Sequence, residues 1–462
     1  MTSKIVVNNI ESDSGISSVT FTSDIELGTK NLKGHNLEST GIVTAVSFTG
    51  SGADLTNLPA ANLTGTLPAI SGANLTGINT AFGSGTSVNT SGIITATAFV
   101  PTEGQLSHRN LIINGAMNVA QRGVTSTATG FGSVDRFAVY HSTDDAPTHS
   151  QSDVGLSDLP FTEQGITKCL KVTNGNQSSA SNAEYVEISY KCEAQDIRNS
   201  GWNYQSSSSF ITLSYYVRSS VAQTFTAWIT NRDGTRKNFV WSYALSANTW
   251  TKITKVIPGD SGLTINNDNG AAFELWLQMY YGTNYTQASP PGNNTGGWVN
   301  HDNQTVVDNT TTWYLTNDAT FELTGVQLEV GTVSTPFEHK SYQDEIMRCY
   351  RYYYAHKGML WGITSAGDHL DLNITFPVPM RATPSRTQVD TSLLFKNRLN
   401  QENSTSATTY SYSGVVSPTG DFWVARPGSG DAWGVSYTSS DTHAVYYHVH
   451  EGTTSYAWSA EL

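Results

Sequence analysis

Charge is scarce in this chain, and positive charge scarcer still. Only 14% of the 462 residues are Asp, Glu, Lys or Arg, with 25 Lys and Arg against 38 Asp and Glu, a formal net charge of −13. Such a balance excludes non-specific adhesion to nucleic acid or anionic lipid, which needs a basic surface to release counterions. Cysteine is nearly absent: Cys169, Cys192 and Cys349 form an odd set without metal-like spacing and read as reduced thiols. No run of 18 apolar residues occurs, and the N-terminal MTSKIVVNNIESDSG lacks a signal-peptide core. The expectation is a protein made in a cytosol, not inserted in a membrane, and released by lysis. No nucleophile elbow, HExxH or P-loop occurs either. The nearest carboxylate clusters, Asp144-Asp145 and Asp368 with Asp371, read as turns, so no enzyme is expected, with a polysaccharide hydrolase as the competing reading.

What the chain does have is glycine (40), tyrosine (22), tryptophan (11) and abundant Ser, Thr and Asn. That composition points to an all-β surface or virion protein. Residues 1–38 carry short alternating runs such as Lys4-Ile5-Val6-Val7 between polar turns, and read as an N-terminal docking segment. From 39 to 106 the chain repeats itself. Thr40-Gly41-Ile42-Val43-Thr44-Ala45 returns as Ser91-Gly92-Ile93-Ile94-Thr95-Ala96. Between them lie Ala53-Asp54-Leu55-Thr56-Asn57-Leu58, Ala61-Asn62-Leu63-Thr64-Gly65 and Ala73-Asn74-Leu75-Thr76-Gly77. One chain cannot bury so few Leu and Ile residues against itself and offset its ordering entropy. Three identical chains wound about one axis can, so a trimeric fibrous β-shaft is expected.

Residues 107–340 read as a jelly-roll-like β-sandwich. Glu184–Tyr190, Phe210–Val217, Thr224–Ile229, Thr251–Ile257, Phe273–Met279 and Thr311–Leu315 are short, rich in β-branched and aromatic residues, and separated by turn clusters such as Asn231-Arg232-Asp233-Gly234. Alternation puts Phe273, Leu275, Leu277 and Met279 in the core and Trp276 with Tyr280 on the opposite face. The loop Asn284–Asn303 is long enough to be functional. Aromatic faces that could stack on sugar rings are Trp276, Tyr280, Tyr281, Trp298 and Trp313 here, and Trp423, Trp433 and Tyr437 near the end.

One helix is expected, over 341–356, with Ser341 as N-cap and Asp344 reaching back as in a capping box. Its apolar stripe, Tyr342, Ile346, Tyr350 and Tyr353, needs a partner: the same helix in neighbouring chains, or the sandwich. Residues 357–462 read as a second β-unit, a tip, with an edge strand at Val378–Pro384. His448 and His450 would share one face of a strand, and three copies about an axis would gather six imidazoles suited to an octahedral metal ion. No other cofactor is expected.

The GI(V/I)TA and NLTG phrases resemble those of bacteriophage tail fibres, particularly of phages infecting cyanobacteria. His108-Arg109-Asn110-Leu111-Ile112-Ile113-Asn114-Gly115-Ala116-Met117, followed by Ser133-Val134-Asp135-Arg136-Phe137, is similar to the opening of the carbohydrate-binding-module-like sandwich of such fibres. Val326-Gln327-Leu328-Glu329-Val330-Gly331, Thr335-Pro336-Phe337-Glu338, Cys349-Tyr350-Arg351-Tyr352-Tyr353 and Phe376–Pro384 resemble its end. The resemblance implies a homotrimeric tail fibre that docks on a tail or baseplate protein through its N-terminus and attaches the virion, without catalysis, to a host-surface polysaccharide or an outer-membrane receptor. A collar or baseplate fibre without receptor role and a depolymerase tailspike are the alternatives.

Overall fold

The computed structural model describes residues 40–42, 44, 107–304, 306–308, 312–356, 360–365, 369–388, 393–397, 402–405, 410–427, 443–448 and 456–462. The docking segment and all but four residues of the expected shaft lie outside them. The chain divides into two units, Met1–Thr95 and Ala96–Leu462, and the second is described below.

Its first part is a sandwich of two six-stranded antiparallel sheets. In chain order the strands are β1 (Thr125–Ser126), β2 (Phe137–Ser142), β3 (Thr148–Asp153), β4 (Lys168–Thr173), β5 (Tyr185–Glu193), β6 (Phe210–Ser219) and β7 (Gln223–Asn231). There follow β8 (Lys237–Leu245), β9 (Thr251–Pro258), β10 (Ala271–Tyr281), the two-residue β11 (Thr286–Gln287), β12 (Val299–Asn300) and β13 (Val306–Val307), and β14 (Thr320–Val330). One sheet runs β1-β3-β4-β14-β6-β9 and the other β12-β8-β7-β10-β5-β2. Alternation explains the core. Ile211, Leu213, Tyr215 and Val217 of β6 and Phe321 and Leu323 of β14 are buried against Phe225, Ala227 and Ile229 of β7 and Phe273, Leu275 and Leu277 of β10. This is the expected all-β sandwich. Of Thr311–Leu315, expected as a strand, the described residues 312–315 form turns that drop Trp313 and Tyr314, both 0% exposed, into the end of the core.

Two short helices, α1 (Leu159–Gln164) and α2 (Ala194–Arg198), lie within the sandwich. The expected helix, α3, spans Tyr342–Tyr350, shorter than expected, and Ser341 caps it, its Oγ accepting from Asp344 N at 3.1 Å. Tyr353–His356 is strand, not helix. The side buried is Cys349, with Ile346 and the following Tyr352, against Ile113 and Val119 of the chain's own opening segment, while Tyr342 is 60% exposed. The stripe expected from Tyr342, Ile346, Tyr350 and Tyr353 is therefore rotated, because the chain leaves the helix at Arg351 and Tyr353 pairs in a sheet.

The phrases that suggested a family meet here. Asn110 Oδ1 accepts from the N–H of Ile112 and Leu328, and Glu338 accepts the N–H of Arg109 and Asn110 at 3.1 and 3.0 Å. Asn114 N donates to Glu345 Oε1 of α3. Gln121 donates to Asp135 and to Tyr353 O. Arg351 makes a bidentate pair with Glu193 at 2.7 and 2.8 Å. Opening and closing phrases are thus one keystone between sandwich and tip. Gly115 shows how tight it is: a Cβ there would sit 2.1 Å from Val326 O. Gly115→Ala is expected to cost about 3 kcal/mol, because the clash is with main chain and cannot be relieved by a rotamer, and calorimetry of the full chain would show it.

The tip begins with β15 (Tyr353–His356), β16 (Leu360–Ser365), β17 (His369–Thr375), β18 (Ser385–Gln388) and β19 (Leu393–Asn397). It continues with β20 (Glu402–Thr405), β21 (Tyr410–Ser417), β22 (Gly420–Pro427), β23 (His443–His448) and β24 (Tyr456–Ser459). They form a β15-β24-β18 sheet and a β20-β19-β23-β16-β17-β22-β21 sheet. Val378–Pro384, expected as an edge strand, joins no ladder, as its prolines favour. Trp458 is wholly buried, close to Tyr354 and Phe376, and its indole N–H donates to Asp421 at 2.7 Å.

Candidate functional site

The second sheet has one face in the core and one turned away, and the outer face is ordered in rows. Register places Val240, Trp228, Trp276, Ser189 and Ala138 side by side across β8, β7, β10, β5 and β2. The next row out is Ser242, Thr226, Gln278, Glu187 and Tyr140. Thr alternates with apolar residues along β7, so Trp228 faces outward opposite Trp276. The two indoles lie 5.9 Å apart and 14° from parallel.

A register shift between Gln278 and Tyr280 decides which tyrosine joins them. The bulge reverses the alternation, so Tyr280 turns inward, 4% exposed, and stacks on Tyr314 at 4.0 Å. Tyr281 takes the outer face instead, edge-on to Trp228 at 5.8 Å and 5.5 Å from Tyr285. Strict alternation had put Tyr280 beside Trp276; the extra residue of the bulge overturns that.

Over this face lies the loop between β10 and β14. It is tied to the β8 edge: Asn294 N donates to Val240 O, Ser242 donates to both Asn293 and Asn294 side chains, and His301 N donates to Arg236 O. Between loop and sheet is a cavity of about 320 Å³. Its floor is Trp228, Thr230, Arg232, Trp276 and Tyr281, and its rim Asn284, Tyr285, His301, Asp302, Asn303 and Val306. The size falls at the lower end for small-molecule sites, about 300–1,000 Å³. Aromatic faces edged by hydroxyls, amides and a guanidinium suit a ligand with both C–H faces and hydroxyls.

Two buried carboxylates underlie the rings. Glu274, 1% exposed, lies 3.1 Å from Arg232 and 3.7 Å from Lys191, and Ser189 donates to it at 2.8 Å. Glu187 accepts from the Tyr281 hydroxyl. Burial pushes the Glu187 carboxyl up to about 8; the Tyr281 hydrogen bond lowers it and the Glu274 charge raises it further. A raised carboxylate stabilises the fold in its protonated form. That contribution is complete below the ordinary carboxylate value and is lost as pH rises toward about 8. Glu187→Gln, which stays neutral, is therefore expected to gain Tm relative to the parent as pH rises from about 5 to 8, with the difference level above 8. Melting curves across that range check it; a constant difference would contradict it.

Burial pushes the His301 ring below its ordinary value, with the Arg236 and Arg232 charges pressing the same way and Asn303 and Asp302 opposing them.

Of the residues singled out from sequence, Trp276 lines the cavity and the Asn284–Asn303 loop supplies much of its rim. Trp298 closes one end of the core instead, 9% exposed, its indole N–H donating to Pro258 O at 2.8 Å. Trp313 is core, donating to Thr320 O. Trp423 stands in β22 opposite Leu372, and His448 ends β23 opposite Leu394. Trp433, Tyr437 and His450 lie outside the described residues, and with His450 so does the proposed axial metal site. Trp228 and Arg232, which also line the cavity, are not among the residues that the sequence marks. The signal for Trp228 was present in its alternation with Phe225, Ala227 and Ile229; nothing local marked Arg232 as more than a turn residue.

No known protein family and no curated protein matches the chain. Among solved structures it is similar to one titled "CBM4 structure and function" (12% identity, 42% of this chain and 95% of that one, TM-score 0.22). It is also similar to the N-terminal cellulose-binding domain of β-1,4-glucanase C from Cellulomonas fimi (12%, 47% and 99%, TM-score 0.23). A third is the N-terminal CBM22-1–CBM22-2 tandem domain from Paenibacillus barcinonensis Xyn10C (9%, 79% and 100%, TM-score 0.23). At such scores a functional reading has to come from the side chains of the cavity.

Proposed function

We propose that the sandwich binds a glycan, without cleaving it, in the cavity on the outer face of its second sheet. The observation that carries this is the Trp228–Trp276 pair, nearly parallel and 5.9 Å apart, on the floor of a cavity edged by Asn284, Asn303, Thr230 and Asp302. Indoles stack on the C–H faces of pyranose rings, and the amides and hydroxyls fix the sugar hydroxyls. Support for binding rather than hydrolysis comes from Glu187 and Glu274. Both are buried under the rings and committed to Tyr281 and to Arg232 and Lys191, whereas glycoside hydrolysis uses two carboxylates flanking the bond.

In the wider proposal the chain is a homotrimeric phage tail fibre. Its N-terminal segment docks on the tail and the repetitive shaft gives reach. Three linked copies turn weak single-site binding into firm attachment to the host surface. The repeats of 39–106 and the keystone phrases support this part. Incubating the purified full chain with host envelope polysaccharide tests it: adsorption with unchanged polymer length is expected. Shortening of the polymer would overturn the non-catalytic reading, and absence of adsorption the glycan reading itself. Sedimentation equilibrium of the full chain, expected to return a trimer, tests the assembly.

A further inference from the structure

Building on the glycan reading, we infer that the sugar is an anionic one, a pyranose bearing a carboxylate or sulfate, held by Arg232 while its ring lies against the indoles. Arg232 follows β7 directly and stands on the cavity floor with its side chain 29% exposed. One of its terminal nitrogens lies 3.1 Å from Glu274 Oε2, yet that oxygen is buried without a hydrogen-bond partner, so the contact is one of charge alone. Among the described residues the guanidinium donates no hydrogen bond, and only the main-chain N–H of Arg232 is used, by Ala272 O at 2.7 Å. The edge of the guanidinium that does not face Glu274 is thus uncommitted on the floor of a site otherwise lined mostly by aromatic rings and amides. Such an edge, a planar fork of N–H groups, matches the two oxygens of a carboxylate or sulfate.

The charges around it agree. Glu274 is shared between Arg232 at 3.1 Å and Lys191 at 3.7 Å, and the Lys191 ammonium also donates to Leu462 O at 2.8 Å. Arg236 lies close enough to depress the protonation of His301 together with Arg232, and their effect outweighs that of Asp302, the exposed carboxylate on the rim. Asp302 already accepts from Gln304 N at 3.0 Å. At this end of the cavity the guanidinium charges felt by His301 thus outweigh the rim carboxylate, in a protein whose formal net charge is −13. A neutral sugar would leave the uncommitted edge of the Arg232 guanidinium without an anionic partner.

Calorimetric titration of the full chain with oligosaccharides of matched length separates the possibilities: hexuronate, sulfated galactose-based and neutral glucose-based. One of the acidic sets is expected to bind about ten-fold or more tightly than the neutral set at low salt, with the gap shrinking as salt is added. Arg232→Lys keeps a charge beside Glu274 but removes the fork, and should narrow the gap to about three-fold or less with little change in Tm. Neutral sugars binding as well as both acidic sets, or an unchanged gap in Arg232→Lys, overturns the inference and leaves the glycan reading standing. Failure of all three sets to bind overturns both.

Discussion

Trp276→Ala is expected to remove at least about 2 kcal/mol of glycan binding, roughly thirty-fold in affinity, while leaving Tm little changed. The reason is position. Trp276 is half-buried on the outer face and only edges the small cluster of Trp228, Val240 and Val306, so the sheet's inner packing does not rest on it, whereas the ligand would lose the face on which its ring lies. Trp228 is a poorer choice for the test, because it is 6% exposed and holds Val240 and Val306 in a small apolar cluster. Its truncation mixes binding with stability. Titration of wild type and Trp276→Ala with the same polysaccharide, alongside their melting curves, gives the result. Equal affinity would remove the cavity from the binding reaction. A collapse of Tm would show instead that Trp276 is a packing residue.

The largest stability effect is expected at Arg136. Its side chain is 1% exposed, with the guanidinium 3.4 Å from the centre of the Tyr352 ring and 5.3 Å from that of Tyr190. It donates to Glu461 and to Lys191 O. Burial by itself lowers its pKa, and the charge and hydrogen bond of Glu461, together with Tyr352 and Tyr190, more than offset that. Arg136→Met leaves Glu461, 7% exposed, with Arg122 alone at 3.2 Å, at a cost of about 3–5 kcal/mol. For a unit of this size that is on the order of 10 °C in Tm. Replacing Glu461 by Leu in the same chain should recover much of the loss, since removing both charges together also removes the desolvation penalty. No recovery would place the effect in the rings around Arg136 rather than in the pair.

That pair also shows what could and could not be read in advance. Periodicity along β6, β7, β10 and β14 was legible because side chains two apart must share a face, and the sandwich follows from it. The Ser341 cap was legible because it is a local hydrogen bond. Tyr280 was misplaced because a bulge inserts one residue without a local mark. Trp313 was misplaced because a turn can bury a ring as fully as a strand. Arg232, Glu187 and Gln278 acquire their setting only from neighbours on other strands, so no window of sequence contains them together. The keystone phrases stood out as phrases, but their purpose became visible only where Asn110, Glu338, Arg136 and Arg351 meet. The helix α3 belongs to that keystone: its buried side needs no second chain, since Ile113 and Val119 already cover it.

The proposal as a whole rests on where a glycan lies. Oxidative footprinting of the intact protein, with and without saturating host polysaccharide, reads that directly, because Trp and Tyr are labelled in proportion to their exposure. Protection of Trp276, Tyr281 and Tyr285 with the rest of the chain unchanged is the expected result. Protection elsewhere, with these three labelled equally in both states, would contradict it.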